Sequence, residues 1–242
     1  QALGQTLEDE TIRVLDLILS RYENIDYVIF AGDIDYHFQR ASGSIPTYIE
    51  FFDDVYSEIK SNHPDVKIGN SMSLENVLNK GMEPGGSFEL TPKLEMGDFI
   101  ALSYKPIDTI GDINRTPQEA IDNLKQSIEI FPSHQLAFFE ISWSTSEFVN
   151  GNSNDQAEFI KSSLNFFEEN ESKIEFFTIS RLFDKPKGSC VSQDIQSVDG
   201  SGFTSNSFRL ERVDEYVCNS GLIDTNQNIK SSWTQLKTNI PN

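Results

Sequence analysis

Short apolar runs alternate with longer amphipathic stretches along this chain, and the alternation limits the folds that it can adopt. Five runs are rich in β-branched and aromatic residues and too short for helices: Tyr27–Ala31, Val66–Gly69, Phe99–Tyr104, Leu136–Trp143 and Ile174–Ile179. Each run predicts a strand buried on both faces. Stretches with helical periodicity accompany them: Leu7–Tyr22, Tyr48–Lys60, Leu74–Asn79, Pro117–Phe131 and Asp155–Glu169. This order predicts an α/β fold with a parallel sheet, either open and doubly wound or part of a barrel.

The length of the chain suits one large domain or two smaller ones. It has 242 residues and shows no internal repeat beyond the βα period, so a single domain over residues 1–242 is the simplest prediction. After the fifth apolar run, residues 181–221 lack strong apolar periodicity and are rich in Gly and Ser in the middle. They predict a long loop, which is either functional or an embellishment of the fold.

The charge of the chain argues against two classes of partner. Nineteen Lys and Arg against 38 Asp and Glu give a net charge of −19. A field of that sign repels phosphate backbones and anionic lipid head groups, so neither nucleic acid nor a membrane surface is expected as a partner. No apolar run approaches the roughly 18 residues that a spanning helix needs, and no basic and apolar leader opens the sequence.

Two cysteines and two short triplets favour an extracellular location. Cys190 and Cys218 both fall in the polar segment after the last strong apolar run, where closing a long loop stabilises most, so we predict a disulfide. Two unpaired thiols are the open alternative. Asn114 and Asn170 begin Asn-X-Thr and Asn-X-Ser triplets, the form of glycosylation acceptors. Together these features predict a secreted protein.

Polar residues close each predicted strand, which matters because active sites of parallel α/β sheets lie at the carboxyl ends of the strands. The candidates are Asp33, Asp35 and His37 after the first run, Asn70 and Ser71 after the second, Ser103, Tyr104 and Lys105 at the third, Glu140 and Trp143 at the fourth, and Ser180 and Arg181 at the fifth. The pattern predicts that carboxylates, aromatic rings and a tyrosine converge on one edge of the sheet.

Glu140 is the sharpest single signal among these residues. It directly follows four apolar residues, where burial of a carboxylate is costly unless the charge is paired. Trp143 beside it offers an apolar face for a sugar ring. The structural alternative is that Glu140 only forms an ion pair with Arg181 across neighbouring strand ends. Asp33 is a weaker signal, because Gly-Asp after a strand is also a common turn.

These segments resemble the large clan of retaining glycoside hydrolases built on (β/α)8 barrels. Residues 27–35 look like the motif of the fourth strand, and residues 97–106 are similar to the sixth-strand segment of endo-β-1,4-galactanases. Glu140 then occupies the place of the nucleophile. Residues 221–237 look like the segment that closes many such barrels. The resemblance implies a (β/α)8 TIM-barrel fold, of which this chain supplies the last five βα units.

The resemblance also implies a retaining glycosidase mechanism and a carbohydrate partner. Glu140 would attack the anomeric carbon, Asp33 would act as acid and then as base, and Tyr104 would orient Glu140. Trp143 would form a stacking wall. The further substrate-binding candidates are Asp35, His37, Asn70 and Arg181.

Two departures from the family pattern keep a second function open. The family has Asn-Glu where this chain has Gly32-Asp33, so an amide is missing and the acid/base is one methylene shorter. A catalytically degenerate, secreted carbohydrate-binding or structural protein is therefore the alternative.

Five parallel strands also cannot close an eight-stranded barrel. A missing N-terminal segment or a partner chain is expected to complete it.

A binuclear metallophosphatase is a third, less favoured interpretation. Asp33, Asp35 and His37 alternate and could ligate a hard metal ion, but the chain has three His in all and no upstream Asp-X-His strand. No P-loop and no Gly-X-Ser-X-Gly elbow occurs either. We therefore predict neither a metal nor a cofactor.

Overall fold

The computed structural model describes residues 2–39, 41–78, 87–190 and 207–239. Its strands are β1 (Tyr27–Ile29), β2 (Lys67–Ser73), β3 (Phe99–Tyr104), β4 (Leu136–Ile141) and β5 (Ile174–Ile179). Its α-helices are α1 (Ala2–Arg21), α2 (Ile34–Phe38), α3 (Ile45–Asn62), α4 (Leu74–Leu78), α5 (Ser87–Leu94), α6 (Pro117–Ile130), α7 (Ser153–Glu169), α8 (Ser207–Cys218) and α9 (Ser231–Asn239).

The strands form one parallel sheet in chain order, β1-β2-β3-β4-β5, with helices between them. In β1 and β2, Tyr27 pairs with Lys67 and Ile29 with Gly69. This order follows when each helix returns the chain to the same end of the sheet, one strand further along. The predicted α/β fold of five βα units of the (β/α)8 type is confirmed.

Local sequence signals explain where two of the long helices begin. Thr116 caps α6, with its side chain accepting from the Glu119 backbone N–H while the Glu119 carboxylate accepts from the Thr116 backbone N–H. Pro117 then occupies the first turn, where it removes no helical hydrogen bond. Asn152 caps α7 in the same manner by accepting from two backbone N–H groups. The amphipathic stretches that follow complete both helices.

The chain divides into two compact units, which we describe separately. Unit 1 comprises residues 1–103 and 133–137, and unit 2 comprises residues 104–132 and 138–242. In unit 1 the inner faces of α1, α3 and β2 form a core that contains Leu19, Phe52, Val55, Ile59 and Ile68. Burial of these side chains holds the first helices on the sheet. The prediction of a single domain stays a prediction.

A polar side chain ties together the end of unit 2. Gln156 of α7 is fully buried, and its Nε2 donates to the carbonyl oxygens of Trp143, Ser220 and Gly221 at 2.7, 3.4 and 3.2 Å. Its Oε1 accepts from the Ser232 hydroxyl of α9 at 2.6 Å. Since an unpaired buried amide is costly, these bonds fix how the segment after α8 and the start of α9 sit on α7.

The structure corrects the sequence analysis in two segments. The residues after Asp33 form α2, a short helix that contains the candidates Asp35 and His37. The predicted loop over residues 181–221 contains α8, so it is not a loop throughout. The part of that loop over residues 191–206 lies outside the described residues. The predicted helices over residues 7–22, 48–60, 117–131 and 155–169 are confirmed with slightly different bounds.

Candidate functional site

Asp33 follows β1 in a conformation that Asp adopts more readily than most residues. Its φ of 43° and ψ of 50° are left-handed. Its backbone N–H donates to the Ser71 hydroxyl at 2.6 Å, and that hydroxyl donates to the Ala31 carbonyl at 2.7 Å. The Ser103 hydroxyl donates to Asp33 Oδ1 at 2.8 Å. The ends of β2 and β3 thereby fix the backbone and the side chain of Asp33.

Asp35 is completely buried at the start of α2. Its Oδ1 accepts from the Ser73 backbone N–H at 3.1 Å, and its Oδ2 accepts from Asn76 Nδ2 at 2.6 Å. Burial raises the pKa of Asp35 to about 6, against the effect of these hydrogen bonds, and the nearby charge of Asp33 adds to the increase. A buried carboxyl with these partners positions α2 on the end of β2. It is not a surface group that a substrate contacts.

Asn70 and His37 differ in their exposure to solvent. Asn70 is fully buried in β2, and its Oδ1 accepts from the Tyr48 hydroxyl of α3 at 2.6 Å. Burial raises the pKa of Tyr48. Asn70 therefore joins the sheet to the helix layer, and its geometry gives no support to substrate binding. His37 is exposed on α2, with its ring edge-on to Phe38 at 5.0 Å.

In unit 2, Glu140 lies near the end of β4 and is paired with a lysine. Lys105 Nζ donates to Glu140 Oε2 at 2.7 Å, and the two side chains are 25% and 31% exposed. Glu140 thus forms an ion pair, as the structural alternative predicted, but its partner is Lys105 and not Arg181. Arg181 instead places Nη1 3.9 Å from Cys190 Sγ. Glu140 thus combines solvent access with a fixed position.

The two aromatic candidates of unit 2 belong to the core. Tyr104 and Trp143 are both completely buried. Asn123 Nδ2 of α6 donates to the Tyr104 hydroxyl at 2.9 Å. Both rings lie next to Phe159 of α7, with centroids 6.3 and 5.1 Å away. A stacking wall needs an exposed ring face, so the geometry does not support Trp143 in that role.

Sequence reasoning named three functional neighbours at strand ends without giving them a role. Ser71 and Ser103 hold Asp33, and Lys105 holds Glu140. A signal for them was present, because these polar residues stand where the second and third apolar runs end. Which of two adjacent polar residues reaches the carboxylate depends on strand alternation, since neighbouring side chains point to opposite faces.

The predicted disulfide between Cys190 and Cys218 is present. It joins the end of α8 to the segment after β5. Asp214 of α8 strengthens this junction by accepting from the backbone N–H groups of Gly188 and Cys190 at 2.6 and 2.9 Å. Two side chains of α8, Asp214 and Cys218, therefore hold the segment over residues 188–190.

The two glycosylation candidates differ in their surroundings. Asn114 is exposed in the loop before α6. Asn170 is half-buried, and its Nδ2, the atom that would carry a glycan, donates to the Phe166 carbonyl of α7 at 2.7 Å. Glycosylation stays a prediction, with Asn114 the more accessible of the two sites. Across the described residues, no helix is both long enough and apolar enough to cross a membrane.

Comparison with known proteins finds similarity in structure but not in sequence. Neither the known family models nor the curated proteins contain a match to this chain. A glycoside hydrolase family 53 catalytic domain from Ignisphaera aggregans matches with a TM-score of 0.61 at 14% identity, over 99% of this chain and 66% of that chain. A GH128 subgroup IV endo-β-1,3-glucanase from Lentinula edodes matches with a TM-score of 0.56 at 13% identity, over 93% and 74%.

A third similar structure is a GH5_18 variant from Streptomyces cattleya in complex with Manβ1-4GlcNAc. It matches with a TM-score of 0.60 at 11% identity, over 96% of this chain and 52% of that chain. The chain is thus similar in fold to glycoside hydrolases. At these identities the similarity shows the fold alone. The chain spans about half to three quarters of the length of these structures.

Proposed function

We propose that this chain is a glycoside hydrolase that cleaves O-glycosidic bonds in a polysaccharide by a retaining mechanism. The observation that carries the proposal is Glu140, a partly exposed carboxylate at the end of a strand in a glycosidase-like fold, held by Lys105. A nucleophile must be accessible to the sugar and must keep a fixed direction of attack. Glu140 meets both requirements.

Asp33 is the proposed acid/base. It would protonate the leaving oxygen and then activate the water that releases the glycosyl group from Glu140. Two hydrogen bonds support this role, because the Ser103 hydroxyl donates to the carboxyl and the Asp33 backbone N–H donates to the Ser71 hydroxyl, which together fix the side chain and the backbone of Asp33. Because Asp is one methylene shorter than Glu, we expect the wild-type rate to be limited by proton transfer, and Asp33→Glu to preserve or increase the rate.

The experiment measures reducing-end release from a panel of soluble β-galactans, β-glucans and β-mannans. We expect the wild type to release reducing ends and Glu140→Gln to abolish the release. Glu158→Gln is the matched control, because Glu158 is an exposed glutamate on α7 and has no proposed role in the reaction. Absence of release from both the wild type and Asp33→Glu would contradict the proposal for these substrates.

A catalytically inactive carbohydrate-binding protein is the second candidate. The observation that favours it is the substitution of the family's Asn-Glu by Gly32-Asp33, which removes an amide and shortens the carboxylate. In this case the wild type binds a polysaccharide but neither it nor Asp33→Glu releases reducing ends. Measuring binding and release on the same panel therefore separates the two functions.

The proposal includes an extracellular location and a further polypeptide segment beside α1. The disulfide fits an oxidising compartment.

On α1, Leu7, Val14, Leu17 and Ile18 are 62%, 39%, 57% and 40% exposed and lie along one stripe. In a chain of successive βα units, a helix that is not at the end buries such a stripe against the neighbouring βα unit. Light scattering tests the segment: a mass of two chains that Leu17→Glu halves would show that a second copy covers α1 instead.

A further inference from the structure

Tyr36 is an exposed aromatic side chain next to Asp33, and no role was assigned to it from the sequence. It lies in α2 and is 47% exposed, so part of its ring is accessible to solvent. Its backbone N–H donates to the Asp33 carbonyl at 3.2 Å, which sets the two residues in a fixed relation. Its hydroxyl oxygen lies 3.5 Å from Ser73 Oγ at the end of β2.

The ring of Tyr36 is presented by a segment that is already ordered. The neighbouring Asp35 accepts from the Ser73 backbone N–H and from Asn76 Nδ2, and Gln39 Nε2 donates to Asn76 Oδ1 at 2.6 Å. These bonds connect both ends of α2 to β2 and α4. A ligand that contacts Tyr36 therefore loses little affinity to the ordering of a loop.

The Tyr36 hydroxyl and the Asp33 carboxylate lie near Ser73 and Ser103, which are paired across β2 and β3, and an exposed aromatic ring in the same region as a carboxylate fits one class of ligand well. A pyranose ring has an apolar C–H face and a rim of hydroxyl groups, so it can cover the ring of Tyr36 and donate a hydroxyl to Asp33. Asp33 and Asp35 also make this part of unit 1 acidic, which disfavours a sugar that carries its own carboxylate. The chemistry therefore selects neutral sugars over uronic acids.

We propose that Tyr36 and Asp33 form a binding subsite for a neutral pyranose unit of a polysaccharide. Tyr36 stacks on the sugar ring, and Asp33 accepts a hydrogen bond from one of its hydroxyl groups. This inference rests on the proposed function for the kind of ligand, but it concerns binding and not bond cleavage. It can therefore hold where catalysis fails.

The test is affinity electrophoresis of the 242-residue chain in gels that contain soluble β-galactan, β-glucan, β-mannan or polygalacturonate. We expect the wild type to be retarded by at least one neutral polymer and not by polygalacturonate. Tyr36→Ala and Tyr36→Leu should weaken that binding about tenfold, and Tyr36→Phe should keep it within about twofold, since the ring remains. Tyr22→Ala is the matched control, because Tyr22 directly follows α1 and is 55% exposed.

Each outcome decides the inference. Wild-type binding that Tyr36→Ala and Tyr36→Leu leave unchanged would overturn it, as would equal loss in Tyr22→Ala, stronger retardation by polygalacturonate, or no binding to any neutral polymer.

Reducing-end release is measured on the same samples. Release that persists with unchanged binding in Tyr36→Ala refutes the subsite and leaves the proposed function intact. Loss of binding in Tyr36→Ala without any wild-type release supports the subsite and refutes hydrolysis. Thermal unfolding followed by circular dichroism confirms that the variants are folded.

Discussion

Two aspartates whose carboxyls are little exposed, one in each unit, are stabilised in different ways. Asp35 of unit 1 is held by neutral donors, the Ser73 backbone N–H and the Asn76 amide. Asp184 of unit 2 forms an ion pair with Lys230, with Nζ 2.7 Å from Oδ2 and side chains only 10% and 6% exposed. Burial raises the pKa of both carboxyls, and in Asp184 the lysine offsets part of that increase.

The difference between the two aspartates shows what each environment can be used for. Burial outweighs the neutral donors of Asp35 and raises its pKa to about 6, so its ionisation depends on pH near neutrality. The lysine beside Asp184 instead favours the charged form of that carboxyl and offsets part of the effect of burial on its pKa. It links the segment after β5 to the start of α9. In unit 1 the charge of Asp35, two residues after the candidate Asp33, therefore changes with pH. In unit 2 the ion pair of Asp184 and Lys230 is structural.

The largest expected effect is on the ion pair of unit 2. Lys230→Met should lower the free energy of unfolding by about 3 to 5 kcal/mol, because it leaves the Asp184 carboxylate buried without its cation. It also removes the donor to Thr145 Oγ1 and to the Asn219 carbonyl. Urea unfolding at pH 7 measures the change.

The control for this prediction is Lys187→Met. Lys187 is 62% exposed and pairs with Glu211 and Glu215 at the surface, where solvent screens the charges, so its loss should cost far less stability than the loss of Lys230. Adding Asp184→Asn to Lys230→Met should recover part of the stability, since no buried charge then remains. Equal effects of the two lysine substitutions would show that the pair is not a structural connection.

The second prediction concerns the pH dependence of unit 1. The pKa of Asp35 is raised from 3.8 to about 6 in the folded protein. The folded state therefore binds more protons than the unfolded state between these values. The stabilising contribution is complete below pH 3.8 and is lost as the pH rises through about 6, a loss of about 3 kcal/mol.

Asp35→Asn tests this dependence because it removes the titrating group. We expect the wild type to be the more stable protein at pH 4, since an amide cannot accept from both donors. Its advantage over the variant should shrink by about 3 kcal/mol between pH 4 and pH 7. Urea unfolding at both pH values measures it, and a constant difference would contradict the linkage.

The smallest expected effect comes from removing a neutral donor to Asp33 in unit 1. Ser103→Ala removes the hydrogen bond to Asp33 Oδ1 and should lower the free energy of unfolding by about 1 to 2 kcal/mol. Ser231→Ala, at an exposed serine that donates to the Ser153 carbonyl, should change it by less than about 0.5 kcal/mol. If the two variants lose equal stability, neutral donors do not anchor the carboxylate of Asp33.

Much of the candidate site could not be read from the sequence, for a geometric reason. Tyr104 and Ser103 are adjacent in β3, but Ser103 bonds Asp33 while Tyr104 bonds α6. The sequence showed that polar side chains end this strand, not which of them faces the carboxylate. The same uncertainty placed Trp143 on a sugar-binding surface, whereas it lies in the core.

Short helices were the other weak point of the sequence analysis. The five residues of α2 span barely more than one turn, so no apolar period could reveal them. Contacts with the end of β2 stabilise this helix, and they place Tyr36 and Asp35 beside Asp33. α8 was missed because its sequence is polar and follows a Gly-rich and Ser-rich segment.

The sequence by itself determined the α/β fold, its five strands and the cysteines that pair. β3 and β5 have the predicted bounds. β3 is buried throughout, because a run of apolar residues too short for a helix has few other ways to be buried, whereas β5 is mostly half-buried. Only the tertiary structure decided which charges meet. Lys105, not Arg181, holds Glu140, because partner choice depends on strand register and on the side to which each side chain points, and neither follows from local sequence.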